Sequence, residues 1–475
     1  MSDDDIVISG FSARFPQADS LSEFGEKLYR GDDFVTDDGS RWPLGFMGLP
    51  DHMGTIRDLS KFDAQFFGVL AKQAQVMDPQ LRLLLETSYE AVFDAGYDPA
   101  TLRGQKIGVF VGCSVSGMAG AQPYLGADET EGYSMLGSSL SMFSNRISYS
   151  FDFHGPSETV DTACASTMTA LNHAVLAIRS GKCEAAIVGG SNFLFNPASS
   201  VALHRMTMLS PEGKCKVFDA NGITYPSGNA REKLLREAYA EAKVDPHDVC
   251  YVEVHGTGTK KGDPEEVGAI SRFFCQPPRE RPLMIGSVKS NVGHAEGASG
   301  ICSMAKVILA METGTIAGNI HFVEPNPNIS SLFDGTIEVV DRNKPLPGAF
   351  VGINASGFGG TNVHTILQAH SGPHVKSLPR LKTHLPRLVI IAGRTADALA
   401  VALVDMLTAV GIKPDGFLGH SMGEIGCAYL DGALTAEQAV LCAYWRGRCT
   451  ELGNMPKGAM AVVGNSQSRS LCLHD

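Results

Sequence analysis

Short apolar runs, separated by glycine and proline, alternate along this chain with longer segments of helical spacing. The runs are IGVFVG (107–112), AAIVGG (185–190), CYVEVHG (250–256), PLMIGS (282–287) and FVGINA (350–355). After Met168, apolar positions at Leu171, Ala174 and Ile178 recur at intervals of three and four residues, as on the buried face of a helix. Strands that alternate with helices predict an α/β protein in which helices cover a sheet.

The stretch QAHSGPHVKSLPRLKTHLPR (368–387) mixes proline, glycine, histidine and basic residues, which predicts a surface linker. The chain has 475 residues, enough for two or three domains. The segment after the linker, about ninety residues, is short for an independent α/β domain.

Composition narrows the class of protein. A hydrophobic content of 44% and a charged content of 19% are typical of globular enzymes. The net charge of −12 argues against nucleic acid or an anionic membrane as the main partner. The acidic start MSDDD and the lack of a long apolar run predict a cytoplasmic protein. The 11 cysteines form no zinc-like cluster, so we expect reduced thiols and no metal site.

Cys164 differs from the other cysteines by its position, because helical periodicity begins just after it. Unpaired amides and the positive end of the helix dipole favour a thiolate, which predicts a lowered thiol pKa. Judged alone, a cysteine such as Cys164 is more often a small buried core residue than a nucleophile.

Two histidines follow the ends of predicted strands. His255 ends one apolar run, and Lys289 follows another, with His294 five residues later. Strand ends converge at one edge of a sheet, where α/β proteins build their sites. Each histidine taken alone could be a capping or packing residue. The glycines around Phe358 could expose backbone amides as an oxyanion hole does, or form a hairpin.

Four ordered motifs, VDTACAS, HGTGT, KSNVGHAEGASG and GFGGTNVH, resemble the β-ketoacyl synthase family of condensing enzymes. The similarity is strongest to the ketosynthase that opens animal-type fatty acid synthase, with modular polyketide synthases second. It extends from about Ile6 to Leu367. The resemblance implies a thiolase-like α/β fold of two similar halves in a layered core, usually dimeric, that performs a decarboxylating Claisen condensation.

The resemblance also implies a role for each site residue. Cys164 would accept an acyl chain from the phosphopantetheine arm of an acyl carrier protein. His255 and His294 would hold the malonyl thioester carbonyl while carbon dioxide leaves, and Lys289 would orient and tune His294. No cofactor would be bound by the chain itself.

The oxyanion hole implied by the family would be formed by the backbone amides of Cys164 and Phe358. Phe358 and Gly359 would belong to the loop that carries this hole and gates the site. A thiolate nucleophile and neutral imidazoles agree with such chemistry on general grounds.

A second nucleophile lies beyond the linker, where GHSMG (419–423) has the G-x-S-x-G pattern of a nucleophile elbow. The wider segment resembles the malonyl/acetyltransferase that follows the ketosynthase in the same synthase. On that resemblance Ser421 would accept the acyl group, with His420 as its neighbour. Arg446 would bind the malonyl carboxylate through two parallel hydrogen bonds.

The predicted domains are a first ketosynthase half (1–219), a second half (220–370), a linker remnant (371–398) and a truncated transferase (399–475). Cys164 and His255 are 91 positions apart. The family usually has about forty residues more in this interval, beyond ordinary loop variation. We place the break at KVFDANGITYPSG (216–228), and we expect lost central strands to leave ladder hydrogen bonds unpaired.

The transferase segment also departs from the family. It lacks the usual linker domain and the early glycine/glutamine loop, and the chain ends at Asp475 before the expected activating histidine. We expect this segment to be inactive as a catalyst. A splice form, a gene-model error and a fragment would each produce such joins.

Three alternatives stay open beside a fatty-acid-synthase-type β-ketoacyl synthase. The chain could be a polyketide synthase ketosynthase, or a non-catalytic partner that dimerises with full-length subunits. A thiolase-like enzyme that does not decarboxylate is disfavoured, because thiolases usually use a second cysteine in place of one histidine.

Overall fold

Helices and strands alternate along the chain in the computed structural model, which confirms the predicted α/β class. The structure describes residues 5–118, 132–220, 230–259 and 262–370, together with positions 435 and 438. Two compact units, Met1–His374 and Val375–Asp475, divide the chain within the predicted linker. All elements below belong to the first unit, and the predicted transferase residues, His420, Ser421 and Arg446, lie outside the described residues.

The bounds of the described elements follow the apolar runs closely. The helices are α1 Leu21–Arg30, α2 Ala71–Gln75, α3 Pro79–Asp94, α4 Ser134–Ser138, α5 Ser141–Phe151, α6 Ser166–Arg179, α7 Ala198–Arg205, α8 Ala230–Ala242, α9 Gly262–Phe274, α10 Lys289–Val292 and α11 Ser299–Thr313. The strands are β1 Val35–Thr36, β2 Met53–Gly54, β3 Ile107–Gly112, β4 Ser157–Val160, β5 Ala185–Gly190, β6 Val249–Glu253, β7 Leu283–Gly286, β8 Thr315–Ile316, β9 Ile337–Val339, β10 Lys344–Pro345, β11 Phe350–Ser356 and β12 Asn362–Gln368.

A three-stranded parallel sheet has the order β4-β3-β5. The central strand pairs on both sides, with Val109 opposite Ser157 and also opposite Ile187. Helices α5 and α6 contact β3, and every residue of β3 is buried. This burial explains why its sequence is a continuous apolar run rather than an alternating one.

A five-stranded sheet has the order β12-β11-β6-β7-β9. Strands β11, β6, β7 and β9 are parallel, and β12 returns antiparallel to β11. The glycine-rich segment 357–361 connects β11 to β12, so the hairpin interpretation of that sequence is correct as a description of its backbone.

Direct pairing keeps both sheets continuous within the described residues. Strand β11 pairs with β6, and β3 pairs with β5. The expectation of unpaired ladders is therefore wrong for the five-stranded sheet. In the smaller sheet β5 is an edge strand, and it is only partly buried although its sequence is as apolar as that of β3. Residues 221–229, where the predicted join falls, lie outside the described residues.

Two helices lie between the sheets and bring their ends together. Helix α6 contacts β3, β4 and β5 of the smaller sheet and β12 of the larger one, and α11 contacts α6, β5 and β11. The turn before α6 and the loop before α11 are therefore neighbours. Among the described residues, no helix is long and apolar enough to cross a membrane.

Candidate active site

Cys164 lies in a strained turn between β4 and α6. The short 3-10 turn Ala163–Ala165 precedes the helix, and Ala163 has a φ of +54°, a backbone conformation rarely adopted by a residue with a side chain. The Ser166 hydroxyl accepts a hydrogen bond from the Thr162 amide at 2.9 Å and donates to the Ala163 carbonyl at 2.6 Å. These bonds hold the turn, so the thiol lies next to the helix N-terminus, where the sequence places it.

His294 contacts the cysteine directly. Its Nε2 lies 3.1 Å from the Cys164 Sγ. Its other ring nitrogen, Nδ1, is hydrogen bonded to the Ser299 hydroxyl at 3.0 Å, and Ser299 is the first residue of α11. Because both nitrogens have partners, the plane of the imidazole is fixed against the thiol.

His255 lies beside His294 just beyond the end of β6. The ring centroids are 5.5 Å apart and the rings are almost perpendicular. The backbone amides of His255 and Gly256 donate to the Glu266 carboxylate at 2.8 and 3.1 Å, and the Asn354 amide donates to it at 3.0 Å. One buried carboxylate on α9 therefore holds the segment that carries His255.

Lys289 contributes a buried positive charge at the first position of α10. Its exposed fraction is 2%. Burial and then the Lys289 charge lower the pKa of His294 to about 3. The same two causes, in the same order, hold the pKa of His255 well below 6.5. Both imidazoles are therefore neutral at pH 7 and can donate hydrogen bonds without carrying charge.

Two backbone amides converge on the cysteine sulfur. The N–H groups of Phe358 and of Cys164 itself donate toward Sγ and lower the thiol pKa. The loop approaches so closely that a Cβ at Gly357 would lie 2.2 Å from the Thr162 carbonyl oxygen, whereas a Cβ at Gly359 would meet nothing within 4 Å. Donors in this arrangement can stabilise negative charge on an oxygen bonded to the acylated carbon.

The Cys164 thiol pKa is raised, opposite to the direction that the sequence predicts. Burial is the largest cause, and the Glu296 carboxylate raises the pKa further. Lys289 and the two amides lower it but do not outweigh burial. The prediction fails because it considered only the helix N-terminus and not the loss of water around the sulfur.

These groups line one cavity of about 1160 Å³. Cys164, His255, His294 and Phe358 all contribute to its wall. The volume is sufficient for an acyl thioester. Within the described parts of the chain, no group of three histidine, cysteine or acidic side chains is placed to hold a metal ion.

Sequence reasoning missed the residues that position the site. Glu266 and Ser299 orient His255 and His294 through the contacts above, and Ser166 holds the cysteine turn. Ser166 and Ser299 lie inside motifs, and Glu266 lies seven residues after HGTGT, but nothing in the pattern indicates which neighbour each side chain reaches.

Four family models match the chain in order. "Beta-ketoacyl synthase, N-terminal domain" matches residues 3–231, and "Beta-ketoacyl synthase, C-terminal domain" matches 214–323. "Ketoacyl-synthetase C-terminal extension" matches 325–414 and so spans the predicted linker remnant. "Acyl transferase domain" matches 395–474.

Curated proteins similar to this chain include fatty acid and polyketide synthases. A fatty acid synthase from Anser anser anser is 47% identical over 352 residues, which are 66% of this chain and 99% of that relative. Polyketide synthase GfsA from Streptomyces halstedii is 35% identical over 418 residues, 76% of this chain but 6% of that protein's length. The chain thus spans a small part of such polyketide synthases.

A solved structure has the same fold. The oxazolomycin ketosynthase domain OzmH KS7 of Streptomyces albus JA3453 superposes with a TM-score of 0.73 at 29% identity. The alignment covers 86% of this chain and 81% of that one. The expected thiolase-like fold is confirmed.

Proposed function

The chain belongs to the β-ketoacyl synthase family, and from this premise we propose that it is the condensing region of a fatty acid synthase. It joins acyl and malonyl thioesters with loss of carbon dioxide. The observation that carries the proposal is the 3.1 Å contact between Cys164 Sγ and His294 Nε2, with two backbone amides against the same sulfur. The 47% identity to a goose fatty acid synthase supports the fatty acid type over the polyketide type.

The first half-reaction transfers an acyl group to Cys164. The sulfur attacks the carbonyl carbon of an acyl-pantetheine thioester, and the oxyanion that forms is stabilised by the amides of Cys164 and Phe358. The pantetheine thiolate leaves and takes up the proton that the Cys164 thiol gave up. Because the resting thiol is mainly protonated, these amides and the Lys289 charge must stabilise the developing thiolate.

The second half-reaction forms the carbon–carbon bond. His255 and His294, both neutral, donate hydrogen bonds to the malonyl thioester oxygen while the bond to the carboxylate breaks. The electron pair of that bond forms an enolate, and carbon dioxide leaves. The enolate carbon attacks the acyl carbonyl on Cys164, and the cysteine leaves as thiolate.

The same proposal names the partners. An acyl carrier protein presents both thioesters on its phosphopantetheine arm, two copies of the chain form a homodimer, and the protein acts in the cytoplasm. The predicted domain division and the transferase residues beyond the linker belong to this proposal as well.

A labelling experiment tests the proposal. The purified chain is incubated with an acetyl- or octanoyl-pantetheine thioester, and any adduct is located by intact-mass and peptide mass spectrometry. We expect one acyl group on Cys164 and none on the Cys164→Ala variant. A folded chain that dimerises but stays unacylated would favour the non-catalytic partner and contradict the proposal.

A further inference from the structure

A buried ion pair lies behind the candidate active site. Glu253 ends β6, two residues before His255, and Lys306 lies in the middle of α11. Lys306 Nζ is 3.2 Å from Glu253 Oε2, a charge contact without hydrogen-bond alignment, and both side chains are 0% exposed. Such a pair is costly to bury, so its presence beside a reaction centre calls for an explanation.

Glu253 also contacts the segment that carries Lys289. Its Oε2 accepts a hydrogen bond from the Tyr251 hydroxyl at 2.6 Å, and its Oε1 accepts one from the Val288 amide at 2.6 Å. Val288 directly precedes Lys289 in the chain. The carboxylate of Glu253 is therefore held against the start of α10, next to a second buried cation.

Three buried charges thus share one region. Two lysines and one carboxylate leave a net charge of plus one. The Lys289 charge disfavours the protonated forms of Lys306 and His294. It also favours the thiolate form of Cys164. Without Lys306, the Glu253 carboxylate would offset the Lys289 charge, because Coulomb interactions are long-ranged where water is excluded.

We propose that Lys306 is a positioning residue that acts through electrostatics. It neutralises the Glu253 carboxylate, so that the positive charge of Lys289 acts on Cys164 and His294 without being offset. Lys306 acts through Lys289 and does not touch the substrate. The inference rests on the proposed function, because it assumes that Cys164 is the nucleophile.

Two ionisable groups that face the ion pair do not titrate between pH 6 and 9. Tyr251 and Cys302 face the pair, and burial raises the pKa of Cys302 to about 11 and that of Tyr251 well above 10, so both stay neutral. The charged or ionisable groups that act on the Cys164 thiol are Lys289, Glu296 and the neutral His294.

The test follows alkylation of Cys164 by iodoacetamide as a function of pH, with the modified peptide quantified by mass spectrometry. Lys306→Met leaves Glu253 unpaired, so we expect the thiol pKa to rise by about one unit and alkylation at pH 8 to slow about tenfold. The double variant Lys306→Met with Glu253→Gln removes both charges and should restore the parental rate. A merely structural role of Lys306 predicts a lower melting temperature for Lys306→Met but no shift in the pH midpoint of alkylation.

A matched control removes a lysine at the far end of α6. Lys182 is exposed and follows that helix, whose length places it about 20 Å from the Cys164 turn. Lys182→Met should alkylate like the parent. Thermal melting of each variant confirms that the compared chains are folded.

Two results would overturn the inference: a folded Lys306→Met variant with the parental pH profile, or a double variant as slow as Lys306→Met. If Lys306→Met does not fold, Glu253→Gln alone decides, because it keeps an acceptor for Val288. Its alkylation should equal or exceed the parental rate, and slower alkylation contradicts the inference. A parent chain whose Cys164 reacts no faster than its buried cysteines overturns the proposed function instead.

Discussion

Substituting Gly357 by alanine should separate the Phe358 amide from Cys164. The added methyl carbon would lie 2.2 Å from the Thr162 carbonyl oxygen, more than 1 Å short of an ordinary contact. The loop must therefore move away by about 1 Å, which stretches a hydrogen bond of normal length beyond its useful range. Loss of one oxyanion donor costs roughly 10²- to 10³-fold in rate, or about 3–4 kcal/mol of transition-state stabilisation.

Single-turnover acylation measures this loss. Parent and Gly357→Ala chains are mixed with excess octanoyl-pantetheine thioester, and the Cys164 adduct is quantified over time by mass spectrometry. Gly359→Ala is the control in the same loop, since its methyl group meets nothing within 4 Å, and we expect it to lose less than tenfold. A Gly357→Ala chain within threefold of the parent would refute the reasoning, as would equal losses in the two variants.

Three further predictions concern the histidines and the join. His255→Ala or His294→Ala should reduce malonyl decarboxylation more than acylation of Cys164. The release of radiolabelled carbon dioxide is measured beside acyl labelling of Cys164, and a larger loss of acylation than of decarboxylation would contradict this prediction. Because burial lowers the pKa of His294, and of His364 in β12, to about 3, unfolding adds protons to these two histidines below pH 6.5, and their contribution to the free energy of unfolding falls as the pH drops. At pH 5 the loss is on the order of 2 kcal/mol per histidine, so the urea midpoint should fall less between pH 7 and pH 5 for His364→Gln than for the parent, and an equal fall would contradict it. Inserting the family's missing segment between Asp219 and Ile223 should raise the melting temperature, and no change would mean that the gap was misjudged.

The elements of the fold follow from local pattern, and their pairing does not. The runs 107–112 and 185–190 are strands β3 and β5 with the predicted bounds, and the apolar repeat after Met168 is helix α6. The local pattern does not show that β3 and β5 pair directly, because this pairing joins two segments that are far apart in the chain. Contacts of that kind join residues far apart in sequence, so a period of two or 3.6 residues carries no information about them.

For the candidate site, too, the sequence predicts the main residues but not all of their contacts. Cys164, His255 and His294 were singled out because each follows a strand and borders a helix or a glycine turn, and the structure brings all three to one cavity. The direction of the Cys164 pKa shift was wrong, since burial of a thiol is set by the whole cavity rather than by its own helix. Glu266 was missed because its partners are the amides of His255 and Gly256, ten or more positions away.

The site combines residues from the two parts of the chain on either side of residues 221–229. Cys164 belongs to the part of the chain before them, and His255, His294 and Phe358 belong to the part after them. Contacts between the two parts are direct: Thr167 donates to the Gly297 carbonyl, and Gly357 packs against Thr162.

Thr167 lies in the first turn of helix α6, directly after the Cys164 turn, so this hydrogen bond holds the cysteine against the loop of His294. Thr167→Val, which removes the donor but keeps the shape, should therefore impair acylation of Cys164 although the variant alters neither nucleophile nor histidine. If the folded variant is acylated at the parental rate, the α6 contact with the His294 loop is dispensable and the strained turn alone positions the thiol.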